Sequence, residues 1–379
     1  MSSTVVGRDL ATGDLIRVTC SGGLITAMTR TRDTTAEAGW LSPGFLDVQV
    51  NGFAGHDVNA ADPSPEAIAA ITDELAKAGV LGWVPTVITG SQDEIITRLR
   101  AVQQARTTHP AVAAAVPFAH VEGPFLSDLD GPRGAHPKQH VRTIDADEVA
   151  RWAEVAQIGY VTVSPHDDQA PREIARILSL GIAVAVGHTH ADSGQIRAAA
   201  DAGATLSTHL GNGIFSSLPR HPNPIWTQLA DDRLTAGLIG DGHHLPAETL
   251  TAMVRAKGRG RCFLVSDSAD LAGMEPGLYT RAIGGDVELS ANGRLAMAGS
   301  DILAGSAVSL ADVVRWVVGH TPFSLAEVVE LASRTPAAVV AACGGQRMAE
   351  VRVGGQADLL VLDNDGSVRE VVRAGVRIA

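Results

Sequence analysis

The chain has 379 residues, of which 45% are hydrophobic, so it can bury one large core or two ordinary ones. Its formal net charge of −12 opposes non-specific binding to nucleic acid or anionic lipid, because both need a basic surface. Cys20, Cys262 and Cys343 are too far apart in sequence to indicate a disulfide framework or a thiolate zinc site. The N-terminus has no signal-peptide pattern, and no stretch reaches the ~20 apolar residues of a membrane span. We therefore expect a cytoplasmic protein with no nucleic-acid partner and no membrane partner.

Eight apolar runs follow one another along the chain, and each ends in polar residues. They span 44–51, 80–89, 111–122, 158–166, 181–188, 204–209, 235–241 and 261–267. The segments between them mostly have helical spacing; one begins after Ser64, has Pro65 in its first turn and ends at Gly79. Eight alternations of strand and helix over roughly 250 residues predict a TIM-like (β/α)8 barrel, an α/β fold whose active site lies at the carboxyl ends of the strands.

The two ends of the chain have a different pattern. Residues 15–20, 357–362 and 368–378 alternate as β-strands do, and we expect them to pair in a small flanking β domain. The predicted organisation is 1–42 for its first part, 43–345 for the barrel of a metal-dependent hydrolase, and 346–379 for its second part. The connection 211–224 has no obvious helix, and the insertion 271–294 is long enough to cover a substrate.

Three of the predicted strands end in residues that bind metals. Glu122 ends the third run, His188 the fifth and His209 the sixth. Carboxylate oxygen and imidazole nitrogen can hold one catalytic divalent cation and leave a coordination position open for water. Such a cation lowers the pKa of its water and polarises a carbonyl, as amide hydrolysis at neutral pH requires.

Other histidines compete for this role, because an isolated histidine is more often hydrogen-bonded or solvated than a metal ligand. His190 could share a face with His188, or it could lie in the turn before a helix capped by Asp192. Spacing alone does not choose among the further histidines near strand ends, which are His56, His120, His136, His166, His243 and His244.

Asp267 ends the eighth run. A carboxylate beside a metal-activated water can take its proton and pass it to a departing amine. The alternative is a helix cap or turn residue in the loop after the strand.

Several motifs together resemble those of the N-acetylglucosamine-6-phosphate deacetylases, a family of the amidohydrolase superfamily. They lie at 44–52, 120–126, 187–189, 208–212, 265–267, 303–306 and 355–359 and cover nearly the whole chain. By position, the resemblance implies that Glu122, His188 and His209 are the metal ligands and that Asp267 is the catalytic acid/base. It also implies that His136 binds the acetamide of the substrate and stabilises the oxyanion.

The resemblance further implies a set of residues that bind a phosphorylated amino sugar. They are Ala135, His136, Asn212, Gly213, Arg220, His244 and Leu303. Arg220 and His244 match positions that bind the sugar phosphate, and in the family this arginine can reach across a dimer interface, so a homodimer is implied. The alternatives are a solvated loop charge for Arg220 and a His244 that is interchangeable with His243.

One departure from related enzymes bears on the number of metal ions. Many amidohydrolases carry His-x-His at the end of the first strand, where this chain has Gln49 and Asn51. We therefore expect one tight divalent metal site, with zinc favoured over iron, manganese or cobalt, and any second ion weak or recruiting His56. The turn 211–214 has glycine where relatives often have a larger residue.

The expected reaction is hydrolysis of N-acetylglucosamine 6-phosphate to glucosamine 6-phosphate and acetate, in amino-sugar catabolism and cell-wall sugar recycling. Asp267 would act first as general base and then as general acid. One alternative is a cyclic-amide hydrolase or deaminase on the same barrel, because fold does not determine substrate. Another is a non-catalytic sensor of sugar phosphates.

Overall fold

The computed structural model describes residues 2–31, 38–281, 285–299, 303–346 and 348–379. Its strands are β1 (Ser2–Asp9), β2 (Leu15–Ser21), β3 (Leu24–Thr31), β4 (Trp40–Pro43), β5 (Phe45–Val50), β6 (Gly52–Phe53), β7 (His56–Asp57), β8 (Val80–Ile88), β9 (Ala119–Glu122), β10 (Ile158–Val163), β11 (Ala183–Val186), β12 (Leu206–Ser207), β13 (Thr235–Ile239), β14 (Cys262–Val265), β15 (Gly277–Arg281), β16 (Gly285–Leu289), β17 (Leu295–Met297), β18 (Leu359–Leu362), β19 (Val368–Arg373) and β20 (Val376–Arg377). Its helices are α1 (Pro65–Lys77), α2 (Gln92–Thr108), α3 (Pro110–Ala115), α4 (Ala146–Ala153), α5 (Ala170–Ser179), α6 (Ser193–Asp201), α7 (Pro224–Ala230), α8 (Ala247–Lys257), α9 (Leu310–His320), α10 (Leu325–Val329) and α11 (Thr335–Ala342). Across these described ranges, we find no helix whose length and hydropathy would let it cross a bilayer.

Eight parallel strands form the central barrel, in the order β5-β8-β9-β10-β11-β12-β13-β14. The first and last strands meet through isolated pairings instead of a full ladder. Val50 bridges Ser268 in parallel, and the N–H of Asp267 donates to the carbonyl of Gln49 at 3.0 Å. The predicted (β/α)8 barrel is thus confirmed, and its seam lies beside Asp267.

The helices around the barrel begin where local chemistry favours them. The Ser64 hydroxyl accepts from the N–H of Ala67 and caps α1, and Pro65 occupies the first turn, where no hydrogen-bonding N–H is needed. A capping box at Asp192 starts α6 directly after the segment that carries His188. These caps determine where each strand-to-helix loop ends.

Both ends of the chain contribute to a second, seven-stranded sheet in the order β20-β19-β18-β4-β1-β2-β3. Val18 and Leu359, one from each end, are both fully buried in its core. The predicted flanking β domain is confirmed, whereas the division of the chain at 42/43 and 345/346 stays a prediction.

The structure corrects the prediction for the third apolar run and adds detail to that for the insertion 271–294. The third run was predicted as one strand over 111–122, but 110–115 is helix α3 and only 119–122 is strand. Pro110 suits a first helical turn and the alanines after it favour helix, which outweighs the apolar character of the run. The insertion 271–294 forms much of the antiparallel sheet β15–β17, although 282–284 lie outside the described residues.

Candidate active site

The barrel strands deliver His188, His209 and Asp267 at abrupt turns. Their φ angles are 45°, 28° and 51°, all in the left-handed region that non-glycine residues rarely adopt. Each residue lies just beyond the last residue of its strand, so its side chain turns inward over the mouth of the barrel. Such backbone conformations concentrate at functional sites, where the surrounding structure holds them in place.

The three predicted metal ligands converge. His209 Nε2 lies 3.0 Å from Glu122 Oε1 and 3.0 Å from His188 Nε2, and His188 Nε2 lies 3.5 Å from the same carboxylate oxygen. All three residues are buried. Among the described residues, they form the one group of three or more such side chains whose ligand atoms come within 4.8 Å of each other.

The protonation states of this trio suit a cation. His188 Nδ1 lies 2.8 Å from the carbonyl of Pro132, to which it donates, and this leaves a lone pair on Nε2. Burial would raise the pKa of Glu122, but contact with the imidazoles of His188 and His209 holds that pKa well below its usual range. Burial lowers the pKa of His209, and contact with Glu122 more than reverses this. A divalent cation can replace the proton that holds these closely spaced atoms together.

Asp267 lies beside the trio and is partly buried. Burial and the negative charge of Glu122 raise the pKa of Asp267 to about 6, which is near the value that a general base needs at neutral pH. The side-chain amide of Asn51 donates to its Oδ1 at 2.8 Å. The amide of Gln49 likewise donates to Glu122 Oε1 at 3.1 Å. The two positions that lack histidine therefore orient the two carboxylates.

Comparison with known proteins identifies the family. No family model matches the sequence. The N-acetylglucosamine-6-phosphate deacetylase of Bos taurus is 32% identical over 347 residues, which cover 88% of this chain and 82% of that protein. The chain belongs to the N-acetylglucosamine-6-phosphate deacetylase family. The N-acetylgalactosamine-6-phosphate deacetylase of Escherichia coli O157:H7 is 31% identical over 341 residues, covering 89% of this chain and 87% of that protein.

A crystal structure of N-acetyl-D-glucosamine-6-phosphate deacetylase from Mycobacterium smegmatis has the same fold, with a TM-score of 0.85, 28% identity and full coverage of both chains. The predicted resemblance to this family of hydrolases is therefore confirmed. The family and the trio together support a divalent metal at the site, without identifying it.

His136 lies at the edge of the trio. Its Nε2 is 3.3 Å from His188 Nε2 and 3.9 Å from Glu122 Oε2. Burial lowers the pKa of His136 to about 3, so the ring is neutral. The Thr89 hydroxyl lies 2.9 Å from His136 Nδ1 and 3.4 Å from the carbonyl of Glu122. This hydroxyl holds the His136 ring in place, with Nε2 facing the trio.

A cavity of about 330 Å³ opens above the trio. Six of the seven predicted substrate-binding residues line it: Ala135, His136, Asn212, Gly213, His244 and Leu303. Asn212 Nδ2 is buried there and has no hydrogen-bond partner among the described residues, so it is available to a polar ligand. For this family, whose N-acetylated sugar-phosphate substrates are polar, such a donor on the cavity wall is expected.

His244 and His243 have different environments in the structure. His244 Nδ1 lies 2.7 Å from Asp241 Oδ2, and His244 lines the cavity. Burial would raise the pKa of Asp241, but its contact with His244 lowers it. His243 lies against the carbonyl of Asn292 instead. The two neighbours are therefore not interchangeable.

Other predicted residues lie away from the cavity. Arg220 is exposed in the loop before α7 and does not line it. His190 is not in the trio; its Nδ1 contacts Ser127, in the turn before α6. His120 is buried between Thr86 and Thr162, and His56 lies in the β6–β7 hairpin. The described structure thus gives no sign that His56 joins a metal site.

The sequence did not reveal the roles of Gln49, Asn51 and Asp241 as hydrogen-bond partners of site residues. Asp241 ends the seventh run, and Gln49 and Asn51 end the first. A rule that every polar residue at the end of a barrel strand faces the site would have included all three.

Proposed function

We propose that this protein hydrolyses N-acetylglucosamine 6-phosphate to glucosamine 6-phosphate and acetate. One observation carries the proposal: a partly buried carboxylate, Asp267, lines the same cavity as a Glu-His-His trio. Relatives that share most of the chain are named as deacetylases of hexosamine 6-phosphates, which supplies the substrate class.

In this mechanism, Glu122, His188 and His209 would hold a divalent cation, which supplies Lewis acidity toward a water molecule and the acetamide carbonyl. Asp267 takes the proton from the attacking water and later gives it to the departing amine. The Asn51 amide keeps the Asp267 carboxylate oriented toward the cavity. We assign His136, whose Nε2 faces the trio, to stabilisation of the oxyanion that develops on the acetamide oxygen.

The substrate would be held at its two ends. We assign Ala135, Asn212, Gly213 and Leu303 to the sugar and its acetamide, because all of them line the cavity. His244, oriented by Asp241, would donate to the phosphate. Arg220 would supply the second phosphate contact from the partner subunit of a homodimer, because it lies outside the cavity of its own chain.

The metal and the location belong to the same proposal. Two imidazoles and one carboxylate are typical of catalytic zinc, so we favour a single zinc ion over iron, manganese or cobalt. A cytoplasmic location fits three free cysteines, which persist in a reducing compartment.

The decisive experiment is acetate release by Asp267→Asn compared with the native protein, with metal content measured on both. We expect the variant to bind the sugar phosphate and to turn over at least ~100-fold more slowly, since it loses its proton carrier. Near-normal turnover with full metal content would remove Asp267 from this role. A native protein that binds the sugar phosphate and releases no acetate would indicate a sensor.

A second candidate is deacetylation of N-acetylgalactosamine 6-phosphate. It is favoured by relatives of nearly equal similarity, since the Shewanella N-acetylgalactosamine-6-phosphate deacetylase is 30% identical over 339 residues. The two sugars differ only in the orientation of the 4-hydroxyl. The ratio of kcat/KM for the two epimers decides between them, and a ratio above one for the galactosamine derivative would replace our first choice.

A further inference from the structure

Two histidines outside the catalytic cavity form a close pair. His166 follows β10 and His190 precedes α6, and their ring centroids lie 4.3 Å apart with a tilt of 36°. Both are partly exposed, and neither belongs to the trio of Glu122, His188 and His209. The proposed deacetylation uses neither of them.

Buried hydroxyl groups anchor the inner edge of each ring. Ser164 Oγ lies 2.8 Å from His166 Nδ1, and Ser127 Oγ lies 2.6 Å from His190 Nδ1. Both serines are fully buried. Since both Nδ1 atoms contact buried serines and both rings are partly exposed, we infer that the two Nε2 atoms lie toward the outer side of the pair.

The hydrogen-bond directions leave a lone pair on the outer nitrogen of His166 and allow one on that of His190. The Ser164 hydroxyl donates to Thr189 Oγ1 at 2.8 Å, so it accepts from His166 Nδ1–H, and His166 Nε2 carries the lone pair. The Ser127 hydroxyl accepts from the N–H of Leu129 at 3.2 Å and keeps a second lone pair, which can accept from His190 Nδ1–H when an ion is bound at Nε2. Metal-binding histidines commonly donate their other ring N–H to such an oxygen acceptor.

The surrounding charge favours a cation over an anion. Asp128 is exposed and acts on His190 electrostatically. The backbone carbonyl of His166 is held by the side-chain amide of Gln195 at 2.7 Å, which connects this residue to the start of α6. The pair is therefore held by neighbouring elements and has the carboxylate of Asp128 near it.

We propose that His166 and His190 form a second metal site, separate from the catalytic one, that binds a borderline transition-metal ion such as Zn²⁺ or Ni²⁺. The ion is bound by the two Nε2 atoms, and water completes its coordination. With two protein ligands instead of three, this ion exchanges more readily than the ion at the trio.

The test is a titration of Zn²⁺ into the native protein and into the double variant H166N/H190N, against a chromophoric chelator. We expect about two ions per chain for the native protein and about one for the double variant, because the trio is intact in both. H320N is the matched control, an exposed histidine that stacks on Trp316, and it should keep both ions.

Two results would overturn the proposal: a native protein that binds a single ion up to millimolar Zn²⁺, or a double variant that keeps the second ion, which would place that ion inside the catalytic cavity. His190 is close to His188 along the chain. If the double variant loses both ions, the single variant H166N therefore decides whether the second site exists. His166 lies on a different segment from His188, so H166N should lose only the second ion. If H166N keeps that ion, the site is refuted. The ion count does not depend on the proposed reaction, because it is measured without substrate.

Discussion

At the scale of single residues, two amides on the first barrel strand orient the two carboxylates of the site. Asn51 donates to Asp267 and Gln49 donates to Glu122. A hydrogen bond to a charged group contributes about 1.5–3 kcal/mol, and outer partners of metal ligands affect metal affinity strongly. The two amides act on different partners, so their loss should have different consequences.

We predict that Asn51→Ala lowers kcat about tenfold or more and leaves metal content unchanged, because Asp267 loses its orienting donor. Gln49→Ala should instead lower metal affinity about tenfold, because Glu122 is one of the three ligands that we propose. Each variant serves as the control for the other, with acetate release and metal titration measured on both. If the two variants have identical profiles, these separate roles are wrong.

At the scale of elements, two loops enclose the imidazole of His188. Gly134 and Gly213 have φ angles of 59° and 60°, and a Cβ at Gly213 would lie 2.8 Å from His188 Nδ1. The carbonyl of Pro132, in the same loop as Gly134, accepts from that nitrogen. The glycine in the turn 211–214 is therefore required by the contact of backbone with a metal ligand.

We predict that Gly213→Ala lowers metal affinity at least about tenfold, because the added methyl displaces His188 from its partner. Gly181→Ala is the matched control. Its φ is 78° and nothing lies within 4 Å of the added carbon, so it has the backbone cost of about 1–2 kcal/mol without the contact. Equal metal affinities in the two variants would contradict this role for Gly213.

Asp47 stabilises the seam of the barrel. Both of its oxygens accept from the N–H of Ser266 at 3.3 Å, where β5 and β14 lack a continuous ladder. Desolvation by burial raises the pKa of Asp47 to about 7. A carboxyl with a raised folded-state pKa favours folding at low pH, and its contribution is lost as the pH rises through that pKa.

We predict that Asp47→Asn gains stability relative to the native protein as the pH rises from about 5 to about 8, by up to about 3 kcal/mol. The amide keeps an acceptor for Ser266 and cannot ionise. Urea-unfolding midpoints of both proteins at the two pH values test this. A difference that does not change with pH would mean that Asp47 is already ionised in the folded protein.

At the scale of the whole molecule, the mouth of the barrel presents apolar side chains together with Arg220. Leu129 and Phe215 are exposed by 41% and 37%, on the two loops that enclose His188. Exposed apolar residues, together with an arginine that does not line the cavity of its own chain, fit the homodimer with shared sites that we propose.

We predict that Asp267→Asn and Arg220→Ala complement each other when they are mixed and allowed to exchange subunits. Each variant alone should be slow, but one of the two sites in the mixed dimer has an intact Asp267 and the partner's intact arginine. Random exchange should restore about a quarter of native acetate release at low substrate concentration. Activity of the mixture equal to the average of the two variants would place Arg220 in its own subunit's site or outside the site.

Patterns in the amino-acid sequence were sufficient to predict the barrel, the flanking sheet and the residues of the trio. Strand and helix periodicities are local signals, and parallel strands bring their carboxyl ends to one edge, so Glu122, His188 and His209 could be grouped from their positions at strand ends. Which further residues act on the trio depended on the tertiary structure. The contacts of Gln49 and Asn51 join residues 73 and 216 positions apart, and Arg220 lies outside its own cavity. Such pairings depend on loop conformations and on the closing of the barrel, which leave no periodic signal in the chain.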